Sequence, residues 1–254
     1  MISFFFSLQQ LLSVKRDVRM VKVELLRYTR GGVKLIARSA RVSGIPEGLS
    51  DKEVVRMVVE NDYGSVLEHV YFTFDISEIS IALSRELLEH RIASHTARST
   101  RYNLEEDFGY VTPEPLKRSR KLREAFKTAI GQAAENYSKL YRGMVEEGFT
   151  EEEAREAARY LLPMAAHTRY VWTVNARSLI NFLGLRLCVR AAPEIRELAR
   201  KIHRIVVKIY PEIFEGIDCR GYNLGLCPES GNRPPTCPHL KKIPSKKRSP
   251  AGKG

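Results

Sequence analysis

No apolar run in these 254 residues approaches the roughly 18 uninterrupted apolar positions that a membrane-spanning helix needs, so a helical membrane protein is excluded. The apolar stretch near the N-terminus has no basic residue ahead of it and no small-residue cleavage site after it, which makes it a poor secretion signal. Gly-rich loops of Walker or Rossmann spacing are missing, so any nucleotide must be held by side chains rather than by a phosphate-cradling turn. Cysteine is sparse, and all four lie at position 188 or later. Glutamine is scarce beside abundant Lys, Arg and Glu, a balance that leans towards a thermophilic source. There is no internal repeat.

What is present is the composition of a soluble globular protein, 43% hydrophobic and 28% charged, with length enough for one good core or one core and a small appendage. The net charge of +12 is unevenly placed: residues 240–254 carry six basic side chains and no acid, so half of the excess sits in a tail of disordered composition. The remainder is mildly basic, which suits a small phosphorylated substrate as well as it suits nucleic acid. Nucleic-acid binding by the tail ranks below a solubilising role. Residues 1–19 are read as a non-native or disordered N-terminal extension ahead of a native start at Met20, against a rival reading as a surface helix.

The pattern along residues 20–239 predicts one main α+β domain, helix-rich with a small β-sheet. Val21, Val23 and Leu25 alternate as in a strand, and residues 69–76 form a second strand rich in β-formers. The segment GGVKLIARSARVSG between them shows no clear period. Ser50 with Glu53, and Thr150 with Glu153, are capping boxes that start helices. Ser77 is read as the cap of a helix carrying Ile79, Ala82, Leu83 and Leu87. The longest helix runs from about 118 to 147 and ends at Gly148, a short extended piece YVWTV precedes NARSLINFLGLR, and a further helix runs from about Pro193 to Ile209.

Residues 89–102, EHRIASHTARSTRY, hold three arginines, two histidines and four Ser or Thr hydroxyls in a donor-rich turn. Guanidinium forks mixed with hydroxyls are what phosphate oxygens require, although a solvated charged face is the usual reason for such a run. In residues 175–186 a helix capped by Asn175 puts Arg177 and Asn181 on one face, with apolar residues elsewhere. A buried guanidinium there needs an internal ion pair or a ligand. Arg155 has Glu151 to Glu153 to satisfy it. Arg159, two turns from those acids, is open to an external anion or to a tertiary ion pair.

These stretches, HRIASHTARSTRY and TVNARSLINFLGLR, together with LEH at 67–69 and ARYLLP at 158–163, resemble the flavin-dependent thymidylate synthases, the ThyX family, over about Met20 to His239. The resemblance implies a cytoplasmic homotetramer with FAD sites between subunits, methylating dUMP to dTMP with 5,10-methylenetetrahydrofolate as carbon donor and NADPH as reductant of the flavin. Carried over by position, Ser65, Glu89, His90, Arg91, Asn175, Arg177 and Asn181 fall at the FAD site. Glu86, Arg98, Ser99, Thr100, Arg101 and Arg159 fall at the dUMP site, and Arg186 matches the arginine that polarises the uracil ring. A fixed cation there favours the anionic character that C5 needs, and no protein nucleophile is required.

Three positions depart from the family pattern. Glu89 stands where the first Arg of the signature stands, Glu86 replaces a usual Gln, and Ala97-Arg98 replaces a pair beginning with an acid or amide. Compensation of Glu89 by Arg98 is one account; the other is divergence to a non-catalytic paralogue that binds a nucleotide or RNA. Towards the C-terminus, Cys219, Cys227, Cys237 and His239 are candidates for structural zinc, but their wide spacing leaves a disulfide and free thiols equally open. Cys188 reads as a buried small residue.

Overall fold

The computed structural model describes residues 21–229 and 233–245. In chain order the main elements are β1 (Lys22–Tyr28), α1 (Gly32–Val42), α2 (Asp51–Glu60), β2 (Tyr71–Ser80), α3 (Ile81–Leu88), β3 (Ala93–Ala97), α4 (Arg120–Glu146), α5 (Glu151–Ala158), β4 (His167–Asn175), α6 (Ala176–Arg186) and α7 (Pro193–Ile209). The strands form one sheet in the order β1-β2-β4-β3, so the expected helix-rich α+β class holds. Among the described residues no helix is long and apolar enough to cross a membrane.

Side chains set most of the helix starts. Ser50 and Thr150 each accept from the backbone N–H three residues on, while Glu53 and Glu153 reach back to the cap N–H at 2.8 and 2.9 Å, completing both expected boxes. Each such cap is worth about 1 kcal/mol. Asn175 caps α6, accepting from Ser178 N–H at 2.8 Å. Gly148, at φ +92°, ends the turn after α4 in a conformation that costs glycine nothing.

Three expectations are corrected. The cap of α3 is Ser80, not Ser77, because β2 runs on to Ser80, whose hydroxyl accepts from Leu83 N–H at 3.0 Å. The aperiodic GGVKLIARSARVSG segment is helix α1. It buries Gly32, Ile36, Ala37 and Ala40, a stripe of mostly small residues, and it starts from Gly31 in the left-handed region rather than from a hydroxyl cap. Part of the donor-rich motif, Ala93–Ala97, is strand β3, the edge of the sheet, where Ser, Thr and His alternate on a strand paired along one side only.

The chain divides into two compact units. The first takes Asp75–Glu89 and His95–Val171 along with residues 21 and 22; its core gathers Phe108, Tyr110, Ile130 and Ala166, with Phe126 edge-on to Tyr110 at 6.2 Å between centroids. In the same unit Arg169 donates from Nε to Asp75 at 2.8 Å and holds that buried carboxyl below its ordinary value. The second unit takes Val23–Phe74, His90–Ser94 and the described residues from Trp172 on. Its core is aromatic: Phe72 meets Phe74, Tyr210 and Phe214, while Trp172 lies 5.1 Å from Phe182.

The reading of residues 1–19 as an extension lies outside the described residues, as does the tail from 246 onward. Residues 240–245, read as the start of a disordered tail, are held instead: Cys227 N–H donates to Pro244 at 2.9 Å and Arg233 donates to the Ile243 carbonyl at 2.8 Å.

Candidate active site

In the first unit, the turn after β3 presents Ser99, Thr100 and Arg101. Ser99 Oγ accepts from Arg101 N–H at 3.3 Å, and its carbonyl accepts from the Asn103 side chain at 2.7 Å, which folds the turn on itself. Arg155 on α5 donates to the Arg101 carbonyl at 2.9 Å and to Glu151 at 3.0 Å, as its local acids led us to expect. Arg101 Nε meets Glu156 Oε2 at 2.5 Å, and Arg159 pairs with the other oxygen of the same carboxylate. Two guanidinium forks from separate segments therefore converge on one anion. Arg159 is not open, as its distance from Glu151–Glu153 had implied, because Glu156 one turn away satisfies it.

Arg98 is paired as well. Its Nε donates to Glu105 Oε1 at 2.7 Å, and Glu105 is buried with its backbone N–H donating to Tyr137. Burial pushes the Glu105 carboxyl up, and Arg98 works against that shift. Leaving Glu105 unpaired would strand a buried charge, so Arg98 has a reason for its place within the fold. Glu89 itself is the exposed C-cap of α3, at the negative end of the helix dipole, where an acid gains nothing locally. Glu86 is half-buried one turn earlier.

In the second unit, α6 carries its polar residues as expected, but on an open face. Arg177 and Asn181 are exposed, along with Leu185 four residues further, while Leu179, Phe182 and Leu183 are buried. The expectation of a helix apolar and buried all round is thus overturned, and Arg177 needs no internal partner. It donates to exposed Glu68 at 2.6 Å, within the short turn Gly64–His69 that also carries exposed Ser65. Gly64 lets the guanidinium lie against that turn, since a Cβ there would meet Arg177 Nε at 2.4 Å. Asn181 accepts from Arg220 at 3.0 Å, while buried Asn175 is spent on its cap.

At the other end of α6, Arg186 donates from Nε to His90 Nε2 at 3.1 Å. His90 must then carry its proton on Nδ1, and its ring stands edge-on to Phe182 at 4.8 Å. Arg91 beside it is exposed. The structure therefore joins the residue expected to polarise the substrate to one expected at the flavin. Sequence reasoning missed Glu156 and Glu68, although the i, i+3 spacing of Glu156 to Arg159 was there to read.

The family described as "Thymidylate synthase complementing protein" matches residues 24–212. The flavin-dependent thymidylate synthase of Clostridium tetani is 34% identical over 243 residues, covering 88% of this chain and 96% of that one. Its namesake from Pyrococcus furiosus is 38% identical over 249 residues, 89% of this chain and 96% of its own. The Saccharolobus solfataricus protein of the same name reaches 40% over 209 residues, 77% of this chain and 76% of its own. With a match over most of its length on both counts, the chain belongs to the flavin-dependent thymidylate synthase family.

Proposed function

We propose that this chain methylates dUMP to dTMP, taking its carbon from 5,10-methylenetetrahydrofolate, and that it works in the cytoplasm as a homotetramer with FAD between subunits. The observation that carries the reading is the convergence of Arg101 and Arg159 on a single carboxylate beside the Ser99-Thr100 turn. Two forks on one anion, next to a turn that carries two hydroxyls, are a fitting cradle for the phosphate of a nucleotide, which would displace Glu156.

The residues also fit a flavin dinucleotide. Arg91 and Arg177 offer exposed cations for its pyrophosphate, Asn181 and Ser65 offer neutral polar atoms, and His90 offers the imidazole that meets Arg186. When bound and reduced by NADPH, the flavin supplies the hydride. Arg186, braced by His90, places a fixed cation where charge develops on the pyrimidine, and the chain needs no nucleophile of its own. The tetramer is favoured by the exposed Leu122, Leu140 and Val145 along α4, which a partner subunit would cover.

An anaerobic assay with FAD, NADPH and 5,10-methylenetetrahydrofolate, following dTMP formed from dUMP, tests the reading. Arg186→Ala should lose about 100- to 1000-fold in kcat, the usual effect of removing one preorganised electrostatic contact. An absence of dTMP from the wild-type protein with FAD bound, or a variant as fast as wild type, would overturn it.

A further inference from the structure

The open face of α6 carries one guanidinium that the helix itself does not supply. Arg220 opens a single helical turn, Arg220–Asn223, past residues 24–212, where the family match lies. Its Nη2 donates to Asn181 Oδ1 at 3.0 Å, and both side chains are exposed. The turn rests closely on α6, since a Cβ on buried Gly184 would come 3.7 Å from the Arg220 backbone N. From that contact the Arg220 side chain reaches back along the helix by almost one turn, from the level of Gly184 to Asn181.

The backbone that presents Arg220 is pinned. Asn223 accepts from Asp218 N–H at 2.8 Å and donates to the Asp218 carbonyl at 2.9 Å. The Asp218 carboxylate accepts from Cys219 N–H at 2.6 Å and meets buried His239 at 3.0 Å, while the His239 ring lies 4.6 Å from that of Tyr222. Gly221 has no room for a side chain, because the Cys227 Cα lies 3.0 Å from where its Cβ would stand. Hydrogen bonds and packing make this pin, since all four cysteines are free thiols. A cation on a turn held in this way is preorganised, so less ordering is left to do when a ligand arrives.

The partner of Arg220 sets it apart. Arg101, Arg159 and Arg177 each meet a carboxylate, whereas Arg220 meets a neutral amide and no carboxylate of the described residues pairs with it. A guanidinium has only donors, so the atom that Asn181 turns to it must be the oxygen, and the Asn181 NH2 is left for another acceptor. An amide NH2 beside the remaining N–H groups of a guanidinium is a donor set suited to phosphate oxygens. We propose that Arg220 is a cofactor-positioning residue, which fixes the Asn181 amide with its donors available and adds a cation for the pyrophosphate of the flavin dinucleotide. The proposal rests on the reading above that lays FAD along Arg177 and Asn181. Arg177 has Glu68 to give up before it can serve an anion, and Arg220 has no acid to give up. The segment that follows α7 thereby becomes part of the cofactor site.

The test titrates the full-length chain, stripped of flavin, with FAD and follows flavin fluorescence at a series of salt concentrations. Arg220→Ala should raise the Kd for FAD about tenfold and flatten its salt dependence, as the loss of one charged contact to phosphate requires. Arg220→Lys should recover the salt dependence but only part of the affinity, because an ammonium lacks the planar fork that serves amide and phosphate together. In an Asn181→Ala background the cost of Arg220→Ala should shrink to about threefold, since part of the effect runs through the amide. FAD affinity in Arg220→Ala equal to that of the wild type, an undiminished salt dependence, or the same loss with and without Asn181 would each overturn the proposal while leaving FAD on α6. Arg177→Ala that binds FAD as tightly as the wild type, or a wild-type protein that binds none, would instead remove the flavin from this face and the proposal with it.

Discussion

Glu156 holds two arginines at once, and both are expected to hold the phosphate of dUMP. A bound dianion has to compete with that carboxylate for the same donors. Glu156→Gln removes the competitor and keeps the shape, so dUMP should bind about two- to fivefold more tightly, in line with the ~0.5–1 kcal/mol of a half-exposed ion pair. Isothermal titration of the FAD-loaded protein with dUMP measures it; weaker binding would mean that Glu156 is a brace that sets the forks for the ligand. At this scale the sequence was a good guide to which residues cluster and a poor one to what occupies them. Arg98 shows why: its spacing from Glu105 crosses a turn, and nothing in the local pattern says that Glu105 is buried and needs a cation.

Elements were legible where their boundaries are chemical. The boxes at Ser50 and Thr150, and the helix Pro193–Ile209 with Ile195, Leu198, Ile202 and Val206 buried, follow directly from side-chain type and spacing. Helix α1 was hidden because its buried stripe is built largely of Gly and Ala, which carry little apolar signal, and β3 because an edge strand needs no apolar alternation. The turn Gly64–His69 lies against α6 through Gly64 and Arg177, which gives an element-scale prediction. A Cβ at position 64 displaces a flexible, half-exposed side chain and not backbone, so Gly64→Ala should leave the melting temperature nearly unchanged. The Glu68–Arg177 pair should break, and flavin affinity should fall about tenfold through one lost charged contact, as read by flavin absorbance after equilibrium dialysis. Unchanged flavin retention would remove Arg177 from the cofactor site.

For the molecule as a whole, the titrating carboxyls set the response to acid. Asp75 is held down by Arg169, Glu53 and Glu153 by their own cap hydroxyls, and Glu212 by Lys52. A carboxyl whose folded pKa is lowered contributes stability that is complete above its unfolded value and is lost as pH falls through the folded one. Denaturation midpoints should therefore hold near neutrality and fall below about pH 4. Glu105, raised by burial, titrates in the opposite sense and blunts the upper part of that fall. In Asp75→Asn the stability at neutral pH should drop and the acid limb should flatten, which urea titrations at a series of pH values would show; an acid limb as steep as that of the wild type would leave Asp75 out of it.

The order in which the units are threaded bears on how the protein is made. Residues 23–74 belong with a segment that starts at Trp172, so on a ribosome adding about 5–20 residues per second about 5–20 s pass after residue 74 before that segment begins to appear. During that interval Phe72 and Phe74 have none of Trp172, Tyr210 or Phe214 to cover them. Synthesis from the N-terminus thus exposes an aromatic surface before its cover exists, and a chaperone or a fast translation rate over residues 75–171 is what would keep the nascent chain from aggregating.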